Sequence, residues 1–167
     1  ELDQDVRRLH TMVLLWKQAQ HRLQADPGDP ADAQALLQRL KAFPTGSLPF
    51  ALKAWLVDEI TFALALQAGD KPALRKLLAT RQTTAELAGE KASCLFEGKR
   101  ARAGEVLEDP EMTLTALTAI AEDRCVPHPF HGLGRALARV ALAQHHLRLR
   151  HTDDARAQLK AFRESWP

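Results

Sequence analysis

Cys125, His128 and His131 stand as C-x2-H-x2-H, a spacing that can put a thiolate and two imidazoles around a zinc ion, with Cys94, Glu122 or Asp123 as a fourth ligand. Pro127 and Pro129 stiffen the stretch and would help preorganise such ligands. The second cysteine pair of a standard finger is missing, so an ordinary polar loop is the default reading and no cofactor is expected. His145, His146 and His151, with Asp153 or Asp154 nearby, are the raw material of a general base. Adjacent histidines on a helix point to different faces, however, and no obvious nucleophile accompanies them. Capping of a helix C-terminus and interhelical packing explain them instead. The chain carries no Ser/His/Asp signature, phosphate-cradling glycine loop or HExxH, and the sequence reads as a non-enzyme.

Two basic concentrations stand out: Lys99-Arg100-Ala101-Arg102, and the run Arg135, Arg139, Arg148 and Arg150. Without interleaved aromatic residues they read as solvated helix faces, with Arg139 able to fork onto a partner's carboxylate. The 23 basic and 21 acidic side chains nearly balance, so no global field holds a polyanion and nucleic acid is not expected as a partner. Charges interrupt the apolar runs well before the ~20 residues that a membrane-spanning helix needs, so no membrane insertion is expected.

These residues must be positioned by helices. Ala, Leu, Arg, Gln and Glu dominate, Tyr and Asn are absent, and Ile occurs only at Ile60 and Ile120. Such a composition favours helix over strand and predicts an all-α fold within one domain spanning residues 1–167. The arginine-rich, asparagine-free usage also suggests a GC-rich, bacterial source. The two cysteines read as buried thiols in a reducing cytoplasm, with one bridge as the alternative. Residue 1 is Glu rather than Met, so the chain reads as excised from a longer one. The periplasm is the alternative compartment, should a leader or anchor have been removed.

Leu2, Val6, Leu9, Val13, Trp16 and Leu23 predict one amphipathic helix to about Ala25, broken by Asp26-Pro27-Gly28-Asp29-Pro30. Asp29 and Pro30 open a second helix carrying Ala33, Leu36, Leu37 and Leu40 to Phe43. A third, from about Leu48 to Ala68, is apolar on more than one side, as a central helix would be. Gly69, Asp70 and Pro72 turn into a short helix ending near Leu78, and Thr83 or Thr84 caps the next, which runs to Phe96 and breaks at Gly98. After a short basic segment over 99–107, Asp109-Pro110 starts a helix carrying Leu114, Leu117 and Ile120. The prolines around His128 enforce a loop, a long helix follows from Phe130 to Arg150, and Thr152 caps the last.

Helical hairpins recurring at about 34 residues are the mark of an α-solenoid. The last stretch, LARVALAQHHLRLRHTDDARAQLKAFRESWP, resembles a tetratricopeptide repeat in Leu142, Ala143, Ala155, Leu159, Phe162 and Pro167. Weaker echoes lie in Leu64, Ala73 and Leu77, and in Gly98, Ala103, Leu107 and Pro110. Thr61, His146 and Arg150-His151 depart from the family's pattern, and a non-repeating helical bundle is the alternative fold. The resemblance implies a concave face lined by Trp55, Asp58 and Phe62 in one unit and by Leu137, Val140, Gln144 and Leu147 in the last, with Arg139 at the rim. The function it implies is a non-enzymatic scaffold or regulatory module that binds a protein or peptide there, with self-association as a further option. A small metal-dependent enzyme built on Cys125, His128 and His131 is the competing expectation.

Overall fold

The computed structural model describes residues 2–24, 29–45, 50–87, 92–126 and 131–165. Eight helices account for most of them: α1 (Leu2–Gln24), α2 (Pro30–Ala42), α3 (Phe50–Ala68), α4 (Lys71–Leu87), α5 (Cys94–Leu107), α6 (Pro110–Ala121), α7 (His131–Arg148) and α8 (Thr152–Ser165). The fold is all-α, and no helix among the described residues is long and apolar enough to cross a membrane. Within what the sequence reads as one domain, the chain divides into two compact units, Glu1–Leu74 and Arg75–Pro167.

In the first unit α1, α2 and α3 pack pairwise. Asp29 caps α2 as its spacing predicts, accepting from the Asp32 N–H at 2.9 Å, and Pro30 occupies the first turn where its missing donor costs nothing. Met12, Leu15 and Ala19 of α1 meet Ala33, Leu36, Leu37 and Leu40 of α2 and Leu56 and Ile60 of α3 in the core. Trp16 and Leu23 of the predicted stripe pack against this core, but Val6 is 56% exposed and Leu9 also faces outward, so the N-terminal part of the stripe is not the buried line. The α1 sequence holds two apolar lines side by side, and helical periodicity alone does not say which is buried.

In the second unit each helix packs on the next, α5 on α6, α6 on α7 and α7 on α8. Ala101, Ala116, Leu117, Ile120, Ala121, Ala138 and Leu142 form its core. Small residues bring helices close: a Cβ on Gly104 would collide with the Thr113 hydroxyl and lie 2.9 Å from the Thr113 backbone nitrogen. Two predicted boundaries move. The fourth helix runs on through Thr83 and Thr84, and α5 begins at Cys94 with Gly98 inside it. Ser93 supplies the cap, accepting from the Phe96 N–H at 3.2 Å. An internal glycine costs only about 1 kcal/mol against alanine, less than this anchored start provides.

That start is also covalently held, because Cys94 and Cys125 form a disulfide within the core of the unit. The Cys94 N–H donates to the Val126 carbonyl and the Val126 N–H to the Ala92 carbonyl, both at 3.0 Å, so a short parallel bridge flanks it. The reading of two buried thiols is corrected accordingly. The bond joins positions 31 apart, and restricting the unfolded chain this way is worth about 3–4 kcal/mol.

Four turns that follow helices share one backbone design. Gly69, Glu108, Asp123 and Arg150 take left-handed φ of 63°, 58°, 59° and 62°. The next N–H, of Asp70, Asp109, Arg124 or His151, reaches back to the carbonyl of Ala65, Gly104, Ala119 or His146 at 2.8–2.9 Å. These turns follow one another at 39, 15 and 27 residues, without the even period of about 34 read from the sequence.

Candidate functional site

Helix α7 has two unlike faces. Ala136, Ala138, Leu142, Ala143 and His145 are buried, turning small side chains and one imidazole toward α6 and α8. On the other side Leu133, Leu137 and Leu147 are 49%, 60% and 53% exposed, with half-buried Val140 and exposed Gln144 on the same line. The steps from 133 to 137, 140, 144 and 147 alternate four and three residues, the heptad spacing of a seam that another helix can follow. Leu133 extends the predicted line by one turn, and the signal that finds it is this continued spacing. Exposed leucines in register on an ordered helix form a patch whose desolvation favours association.

The arginines beside this line are engaged within the unit. Arg139 donates from Nη2 to the Ala121 carbonyl at 3.2 Å, and from Nη1 to Gln158 Oε1 at 3.4 Å. It therefore caps the end of α6 and ties α7 to α8, rather than standing at a rim. Arg135 pairs with Asp123 at 2.9 Å and Arg148 with Glu105 at 3.2 Å. Arg135 and Arg148 of the basic run are thus held in local ion pairs.

The line predicted on α3 divides. Phe62 is 2% exposed and is a packing residue, which corrects its reading as a recognition anchor. Asp58 is half-buried. Trp55 remains 44% exposed, its ring 5.7 Å from that of Trp16. Below this pair a cleft of about 830 Å³ opens between α1 and α2, lined by Trp16, His21, Arg22, Asp32 and Arg39 among others. Arg22 and Asp32 pair across it at 2.8 Å.

The zinc reading of Cys125 fails, since a sulfur bonded to Cys94 has no thiolate to offer a metal. His128 and the side chain of His131 lie outside the described residues. His145 borders a small cavity of about 230 Å³ with Gly104, Glu105, Thr113 and Arg148. Burial first, then the charge of Arg148 and the neighbouring His146, pushes its pKa below the ordinary 6.5. A neutral imidazole follows at neutral pH, and its Nε2 is buried with no hydrogen-bond partner. Comparison of the chain with protein-family models, curated proteins and solved structures finds no match in any of the three.

Proposed function

We propose that this chain is a non-enzymatic interaction module that holds an amphipathic helix of a partner protein along the outward line of α7. One observation carries the reading: Leu133, Leu137 and Leu147 stand about half exposed on a folded helix at heptad spacing. Covering them removes apolar area worth roughly 1 kcal/mol per leucine, the scale of a regulated, reversible contact. Gln144 sits within the seam, where a polar residue fixes register at some expense of affinity. The partner's face should therefore read as apolar residues at alternating steps of three and four, with one hydrogen-bonding side chain opposite Gln144. Gly134 flanks the line, with open space where a Cβ would stand, and lets a second helix approach closely.

The likeness of Leu142–Pro167 to a tetratricopeptide repeat supports the same reading, and burial of Leu142, Ala143 and Ala155 fits the way such a hairpin packs. The disulfide supports an oxidising compartment, and the scaffold or regulatory region of a larger bacterial protein is the context that suits such a module.

The test places a photo-crosslinking amino acid at position 137 or 147, and at exposed Arg156 on α8 as a control. Adducts from 137 and 147 that map to one helical segment of a partner, and are absent from 156, are the expected result. Adducts of equal yield at all three positions, or none, contradict it, and an adduct between two copies of the chain makes the occupant a second protomer.

A further inference from the structure

We infer that the turn between α7 and α8 is a binding site for a divalent transition-metal ion of the zinc class, formed by His146, His151 and Asp154. One ligand atom from each of the three residues lies within 4.8 Å of the others. His146 Nδ1 stands 3.9 Å from Asp154 Oδ2, and the His146 and His151 ring centroids are 6.2 Å apart. Two imidazoles and one carboxylate suit zinc, cobalt or nickel, whereas calcium and magnesium prefer all-oxygen shells.

The second observation is on His146 itself. Its side chain is 13% exposed, and its Nδ1 is buried with no hydrogen-bond partner. A buried polar atom left without a hydrogen-bond partner is costly, and an ion held between it and the Asp154 carboxylate 3.9 Å away accounts for it. The backbone is already set: Arg150 takes its left-handed conformation, and the His151 N–H donates to the His146 carbonyl at 2.8 Å. His151 and Asp154 are exposed and turn without disturbing the core. Around a tetrahedral ion with bonds of about 2.0–2.2 Å, ligand atoms stand about 3.4 Å apart, so their side-chain rotation need close only the last ångström or so.

Three protein ligands leave a fourth position for water or for a side chain of a bound partner. The ion would clip the first turn of α8 to the last turn of α7, one residue from Leu147. Histidine 145 takes no part, because adjacent helical positions face apart. The site is independent of the α7 interaction reading and stands or falls separately.

Titration of the metal-stripped parent protein with zinc, and with cobalt for its visible spectrum, tests it. The parent should take up one ion per chain, show the intense absorption of tetrahedral cobalt, and melt at a temperature that rises with zinc. His151→Ala and Asp154→Ala should each weaken binding at least tenfold and abolish the zinc-dependent rise, while His21→Ala on α1 leaves both intact. No uptake by folded parent, uptake unchanged in both turn variants, or loss in His128→Ala with retention in His151→Ala would each overturn the assignment.

Discussion

The His145 imidazole sits where burial, Arg148 and His146 all oppose its protonation, against a smaller opposing pull from Glu105. Between its lowered pKa and the ordinary value of 6.5 the unfolded chain takes up a proton that the folded chain refuses. Its contribution to stability is thus complete above about pH 6.5 and is lost as pH falls through the folded value. Denaturation midpoints measured from pH 7.5 to 5 should fall for the parent and fall less steeply for His145→Leu. Identical slopes would show that other groups set the acid sensitivity. Positions marked by spacing within one hairpin were legible in the sequence: the repeat-like pattern singles out Ala143 and Ala155, and both are buried. Arg139 was not legible, because its role depends on a carbonyl 18 residues away. Phe62 was not either, since α3 is apolar on several sides and periodicity does not choose among them.

Element boundaries were readable where a side chain closes its own turn. Asp29, Asp70 and Asp109 each accept from an N–H three residues on, at 2.9–3.0 Å, so the chemistry that marks them is contained in four consecutive residues. The start of α5 escaped although Ser93 closes its turn in the same way, accepting from the Phe96 N–H, because Thr83 and Thr84 offered equivalent caps upstream and the contacts that select Ser93, from Val126 and Cys125, are distant in sequence. Gly98 therefore carried more weight than it should. Arg150 ends α7 in a conformation that glycine adopts without strain, at φ 62°. Arg150→Gly should raise stability by about 1 kcal/mol in chemical denaturation, and a loss instead would mean that the arginine side chain holds the turn. The disulfide belongs to the same scale. Cys94→Ala/Cys125→Ala should cost about 3–4 kcal/mol, read as a lower denaturant midpoint of the variant than of the oxidised parent. Equal midpoints would show that the backbone bridge at Ser93 and Val126 holds the two segments unaided.

At the scale of the whole molecule, composition was sufficient for the all-α class, because helix propensity and the scarcity of β-branched residues act along the entire chain. Division into two compact units was not legible, since α4 spans the division at Leu74 and Arg75 as one continuous helix. Of the two predicted recognition lines, the one on α7 is outward-facing along its length, and the account of function rests on it. The most direct measurement is the affinity of the crosslinked partner segment, made as a peptide, for the parent and for Leu137→Asp/Leu147→Asp, with melting curves on both proteins. Both leucines are more than half exposed, so the variant should fold as the parent does and bind at least tenfold more weakly. Unchanged affinity in a folded variant would contradict the assignment of α7 as the binding face.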